Sequence, residues 1–376
     1  MVSNLTYSAP GRIEIIGNHT DHQRGCVLAA AINKDISCNA EKHDKIELSS
    51  GDFGNIMFDP NDGGQASPGT SEALVRGVVA YFNENGYKAG GFRGGLSGDL
   101  RMGAGLSSSA AFSNLIGVML NHMYNGGIIP QLEIAKASQY AENKFFGKPC
   151  GLMDQAASAV GGFVYIDFLP DEPVVKKINF IPEDHGLTVC VVHTGGSHAD
   201  MTDDYSAIPA EMRLVANYFG KNNLAEINFN DFTANIKELR EICGDRAILR
   251  SHHFFGENER VRKMAKTLLT TDDTDLHEFL HIINESGNSS ISYLQNISNT
   301  KTPQSQPIAL ALALTKQILR GEGACRVHGG GFAGTILAFV PTDIYEEYEK
   351  TMNDVFGGNA CEMIKIRSLG ADIIKS

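Results

Sequence analysis

Four short stretches of this 376-residue sequence crowd together residue types that do chemistry. Residues 10–22 read PGRIEIIGNHTDH, where Arg12, Asn18, His19, Asp21 and His22 surround Gly17 beside three isoleucines. Strand alternation sets Ile13 and Ile15 on one face and Arg12 and Glu14 on the other, and a turn at Gly17 then presents His19 and Asp21. A carboxylate next to an imidazole suits sugar hydroxyls, which donate and accept hydrogen bonds at once. Two other readings fit the same letters. H-T-D-H could be part of a zinc hydrolase ligand set, yet no HxH accompanies it, and His252–His253, read as loop, has no matching spacing. Asp and Asn also favour turns for purely local reasons.

The second stretch, RMGAGLSSSAA (101–111), stands directly before a well-patterned helix. Gly103 and Gly105 let backbone approach a ligand closely, and the N–H groups and dipole at a helix start attract anions. The backbone of Gly103, Ala104, Gly105, Leu106, Ser107, Ser108 and Ser109 therefore reads as a phosphate cradle, with the Ser109 hydroxyl available to Mg²⁺. It is not a P-loop, because the lysine of that pattern is missing, and it makes a weak Rossmann turn, because the third glycine is a serine. A plain serine-capped helix is the competing account, with Ser107 or Ser108 as the cap.

Glu142 and Asp154 belong to the third stretch, AENKFFGKPCGLMDQ (141–155). Glu142 falls in the last turn of a helix, where the dipole disfavours a carboxylate; exposure to solvent would make it harmless, and a Mg²⁺ ligand role would give it a reason. Asp154 falls in the first turn of a short helix, where an aspartate is favourable on its own account. Spacing alone makes neither of them catalytic. The fourth stretch, HGGGFAGT (328–335), is a glycine loop between two strand-like runs.

These groups need a scaffold, and the pattern supplies one. Helical periodicity is read at 71–84, after Leu106, from Pro130 to before Gly147, at about 152–159, and around 205–219, 235–243, 258–270, 275–287, 307–320 and 343–355. Short strands fill the first 60 residues and recur at 163–168, 187–192, 324–340 (around the glycine loop) and 361–367. Helices and antiparallel strands mix in both halves, which predicts an α+β fold. At this length two domains are expected, 1–170 and 171–376, divided near the LPDEP segment (169–173).

Composition narrows the partners. A net charge of −12 repels phosphate backbones and argues against nucleic acid, while obliging any bound ATP to be held locally by N–H groups or cations. No run is long and apolar enough to span a membrane, and the start of the sequence lacks the pattern of a signal peptide. Seven dispersed cysteines read as reduced thiols, which predicts a cytoplasmic protein.

Together the four stretches resemble the GHMP kinases, and within them galactokinase. PGRIEIIGNHTDH resembles the signature GR-x-N-x-x-GEHTDY, and AENKFFGKPCGLMDQ is similar to AEH-x-F-x-G-x-PCGIMDQ. GAGLSSSAA and HGGGFAGT resemble the superfamily phosphate loop and its third, glycine-rich motif. The resemblance implies a two-domain fold, S5-like at the N-terminus and ferredoxin-like at the C-terminus. It implies Asp154 as the catalytic aspartate with Arg12 facing it, and Ser109 and Glu142 as Mg²⁺ ligands. Asn18, His19, Asp21, Gly151, Asp154 and Tyr205 would bind the sugar, with ATP and Mg²⁺ as cofactors and a monomer as the working unit. The sequence departs from the pattern at Asn18 (a glutamate in the signature), His22, Asn143 and IPAEM (208–212), where an arginine pair is usual. Those departures keep galacturonate or arabinose open as the sugar, and a silent sugar and ATP sensor as a second alternative.

Overall fold

A computed structural model describes residues 5–100, 105–148, 150–195, 202–270, 275–298, 300–332 and 334–374. The chain runs β1 (Leu5–Ile16), β2 (Cys26–Lys42), β3 (Ile46–Ser49), β4 (Ile56–Phe58), α1 (Ser71–Glu84), β5 (Phe92–Gly98), α2 (Ser108–Asn125), α3 (Gln131–Tyr140), α4 (Met153–Val160) and β6 (Phe163–Asp167). It continues through β7 (Val174–Ile178), β8 (Leu187–His193), α5 (Thr202–Tyr218), α6 (Phe229–Ala234), α7 (Ile236–Cys243), α8 (Asp245–Thr270) and α9 (Leu276–Ser289). The remaining elements are α10 (Pro307–Leu319), β9 (Ala324–His328), β10 (Thr335–Pro341), α11 (Tyr345–Phe356), β11 (Cys361–Ile364) and β12 (Asp372–Ile374). The mixture is α+β, as the pattern predicts.

Two compact units emerge, and neither is continuous in sequence. The first comprises residues 1–13, 29–164 and 366–376; the second comprises 14–28 and 165–365. A single cut at 170 misses this interleaving because strand pairing returns the last strand to the first: β12 is antiparallel to β1, with Thr6 opposite Ile374 and Ser8 opposite Asp372.

In the first unit the strand order is β12-β1-β2-β5-β3-β4. β1 is buried from Tyr7 onward on both faces, so the polar face that alternation assigns to Arg12 is covered rather than solvated. The α2 helix is apolar or small on nearly every side and is buried from Ser108 to Asn121 apart from Ser109, as expected of a central helix. Phe112 on it stacks on Phe53 at 4.7 Å between ring centroids. The segment after residue 366 is bound tightly into this unit: Arg367 donates its N–H to Ala31 O (2.9 Å) and accepts from Gly162 N (2.8 Å). Ala371 N reaches Ser158 O (3.0 Å) and Ala159 O (3.2 Å) at the far end of α4.

The second unit holds the antiparallel sheet β11-β8-β10-β9. Alternate residues of its strands (Cys190, Val192, Val327, Ile336, Ala338) pack with Ile308, Leu312, Tyr348 and Met352 from α10 and α11. A separate cluster joins α5, α7 and α8 through Ile208, Met212, Leu239 and Phe254. The α8 helix begins at Asp245, thirteen residues before the expected start, so His252 and His253 are helical and not in a loop. Ala247, Ile248, Phe254, Val261, Met264, Ala265 and Leu268 are its buried apolar positions, a helical stripe that the run of polar residues between them hides.

Candidate active site

Arg12, in the middle of β1, is the hub of the first unit's polar centre. Its Nε donates to Asp154 Oδ1 (2.6 Å) and its Nη2 to Asp154 Oδ2 (2.9 Å), a bidentate fork on the first turn of α4. Its Nη1 donates to Gly105 O (3.1 Å), and its backbone N–H to Leu106 O (3.1 Å), so the same residue also holds the serine loop. Gly11 permits that approach: a Cβ there would sit 2.8 Å from Leu106 O and 2.9 Å from a Leu100 methyl.

Ser107 departs from its expected role. It sits in the left-handed region (φ 61°) before α2, and its hydroxyl donates to Asp154 Oδ2 instead of capping the helix. The N–H groups at the head of α2 are thus left without a serine cap. Ser108 is buried, and Ser109 is half-buried one residue into the helix. Gly103 and Ala104 lie outside the described residues.

Asp154 keeps 29% of its side chain exposed. Burial works against its ionisation, but the charge and hydrogen bonds of Arg12, the Ser107 hydroxyl and the charge of Lys148 overcome it and hold the carboxyl below its ordinary value. At neutral pH it is a carboxylate.

Glu142 corrects an expectation. It lies in a π-type turn (Ala141–Phe146) that continues α3, and it is 2% exposed, so the solvent-exposed account fails. Its Oε2 accepts from Gln155 Nε2 (3.0 Å), and its Oε1 has no hydrogen-bond partner among the described residues. A buried carboxylate oxygen without a partner is costly, and a hard cation is the kind of group that satisfies one. Ser109 makes no hydrogen bond to Glu142. Asn143, at the position where the related pattern has histidine, binds Cys150 through its amide oxygen (N–H to Oδ1, 2.7 Å) and so fixes the approach to Gly151 and α4.

Of the residues read as sugar-binding, Asn18, His19, Asp21 and Tyr205 lie in the second unit, and Gly151 and Asp154 in the first. His19 adopts φ 58°, and its Nε2 lies 3.1 Å from Gly330 O. Its Nδ1 is 3.3 Å from His22 Nε2, and His22 Nδ1 is 3.4 Å from Gln23 Nε2. One tautomer assignment satisfies the whole series, with Gln23 donating to His22, His22 to His19 and His19 to Gly330. Burial, with the charges of neighbouring groups, pushes His19 down to about 3 and His22 to about 4, so both rings are neutral at pH 7. Asp21 is half-buried beside them in a short 3-10 turn. Tyr205, on α5, donates to Gly331 O (2.8 Å) and lies so close over Gly330 that a Cβ there would be 2.0 Å from its ring.

Sequence reasoning missed what stands behind this turn. Glu14 and Arg326 form a buried ion pair (2.8 Å), one that costs about 3–5 kcal/mol to break by removing a single partner. On α8, His253 Nε2 lies 3.0 Å from Asn18 O, Glu257 accepts from Gly17 N (2.9 Å) and Asn258 from Cys26 N (2.6 Å). The i, i+4 spacing of His253 and Glu257 was the available signal, concealed by reading that segment as loop. Among the described residues no group of three or more His, Cys, Asp or Glu could hold a metal.

Residues 73–162 match the family model of the GHMP kinases N terminal domain, and residues 2–42 match the galactokinase galactose-binding signature. The galactokinase of Mannheimia succiniciproducens is 30% identical over 364 residues, covering 94% of this chain and 89% of that protein. This chain belongs to the galactokinase family. Another family member, from Pyrococcus furiosus, is 30% identical over 357 residues, covering 91% of this chain and 90% of its own. Among solved structures, Lactococcus lactis galactokinase complexed with galactose superposes with a TM-score of 0.82 at 23% identity, over 98% of this chain and 95% of that one. Methanococcus jannaschii mevalonate kinase shares the GHMP fold at a TM-score of 0.66 and 15% identity, over 97% and 99% of the two chains. Membership of these kinases implies the use of ATP.

Proposed function

We infer that this protein is an ATP-dependent galactokinase, transferring the γ-phosphoryl group of ATP to the anomeric hydroxyl of galactose. The observation that carries the reading is the forked contact of Arg12 with Asp154, closed by Ser107 at the head of α2. Phosphoryl transfer asks the protein for alignment and for compensation of charge, not covalent chemistry. An ionised Asp154 retains lone pairs to accept the hydrogen of the sugar hydroxyl and to orient its oxygen. Arg12 lowers the basicity of Asp154 while adding positive charge beside the transferring group, so the two act as a coupled unit. The uncapped N–H groups at the start of α2 suit the ATP phosphates.

Ser109 and Glu142 would hold Mg²⁺; the unpartnered Oε1 of Glu142 and the oxygen character of both donors fit that ion. Bound there, the ion would neutralise charge on the β- and γ-phosphates. His19, Asp21 and Tyr205 are the proposed sugar contacts, and Gly151 lies on the approach to Asp154.

An assay of ADP release across galactose, galacturonate, arabinose and glucose tests the reading. Galactose is expected to give the highest kcat/KM. A higher value with galacturonate or arabinose would reassign the sugar, and nucleotide binding without turnover of any sugar would make the protein a sensor.

A further inference from the structure

The turn after β1 holds its departure from the family signature in an unexpected way. Asn18 is 1% exposed and commits both amide N–H donors to the protein, to Glu14 Oε1 (3.0 Å) and to Gly329 O (2.7 Å). Its Oδ1 accepts from Asn296 Nδ2 (2.7 Å). Glu14, itself 4% exposed, takes Arg326 Nη2 at 2.8 Å on the same Oε1, and Arg326 Nη1 binds Ile15 O (2.8 Å). A primary amide donates twice and accepts once at this spot. A carboxylate at position 18 would instead face the Glu14 carboxylate and the Gly329 carbonyl, with no proton to offer either. The signature GR-x-N-x-x-GEHTDY has its amide four residues before its carboxylate; here the carboxylate stands at 14 and the amide at 18.

We propose that Glu14 and Asn18 are an exchanged carboxylate–amide pair, anchored by Arg326, and that Asn18 is a positioning residue rather than a ligand of the sugar. Through Gly329 and Asn296 the pair sets the glycine loop, and that loop receives His19 at Gly330 O and Tyr205 at Gly331 O. The amide acts on the sugar only by fixing where those two side chains stand.

The test is a double-mutant cycle in the full-length protein, using Asn18→Glu, Glu14→Asn and the two combined. Its kinetic arm rests on the galactose reading, whereas its thermal arm does not, so failure of one is distinguishable from failure of the other. Each single variant should raise KM for galactose roughly tenfold and lower Tm by several degrees, with KM for ATP unchanged, on the scale of coupled neighbours. The combined variant should recover most of both losses, since an amide at position 14 donates to the new carboxylate and accepts from Arg326. Additive losses in the combined variant would overturn the proposal, and so would a gain in galactose kcat/KM from Asn18→Glu alone.

Should Asn18→Glu fail to fold, Asn18→Ala decides. A positioning role predicts the same fold-rise in KM for galactose and for arabinose, which lacks C6. A rise confined to galactose would identify a direct contact to C6 and sink the proposal.

Discussion

At the scale of single residues, the polar centre of the first unit is organised by one guanidinium that serves two masters. Arg12 holds Asp154 by a fork and the serine loop by two further bonds, so Arg12→Lys, which keeps the charge but loses the fork, should do more than weaken binding. With burial no longer fully opposed, the Asp154 carboxyl titrates higher, and the acid limb of the kcat/KM–pH profile should move upward. An unchanged limb would separate the arginine from the carboxylate's ionisation. Asp154→Ala should lower kcat by at least ~10²-fold while ATP still binds, measured by nucleotide titration beside turnover. Glu142→Gln should raise the Mg²⁺ concentration for half-maximal turnover about tenfold or more, because the unpartnered oxygen loses its charge.

Among the elements, the serine loop passes close over β1 at Gly11. Gly11→Ala places a methyl 2.8 Å from the Leu106 carbonyl, so the loop must lift. KM for ATP should rise and Tm should fall, with KM for the sugar little altered. The α1 helix, read at 71–84, and the short helix bearing Asp154 were legible because apolar periodicity and glycine stops coincide there. The β5 strand was not, since FRGGLSG lacks the β-branched run that marks a strand and owes its extension to β2 on one side and β3 on the other. The start of α8 was missed for the opposite reason. Polar residues that grip the turn from behind (His253, Glu257, Asn258) break up the stripe a reader looks for. The motifs named Asp154, Arg12 and His19; the groups that hold the turn after β1, Arg326 on Glu14 and Asn296 on Asn18, lie hundreds of residues away and carry no local signal.

For the molecule as a whole, acid stability is where the buried imidazoles should be felt. His19, His22 and His253 all have folded values pushed below the ordinary 6.5 by burial, together with nearby charges. Below about pH 6.5 the unfolded chain takes up protons that the folded chain refuses, so their contribution is complete above that pH and drains away as pH falls toward 4. Glu257, held near 2, and Asp154 add their own loss only below the ordinary carboxylate range. Tm should therefore decline between pH 6.5 and 4.5, and His19→Gln combined with His22→Gln should flatten that slope. A different consequence follows from residues 366–374, which complete the edge of β1 and tie down the end of α4. A ribosome delivers them after everything else they touch. The helix bearing Asp154 must wait, its far end untethered, through the synthesis of some two hundred further residues. Stalled nascent chains should then stay open to protease across residues 29–164 until that closing segment emerges.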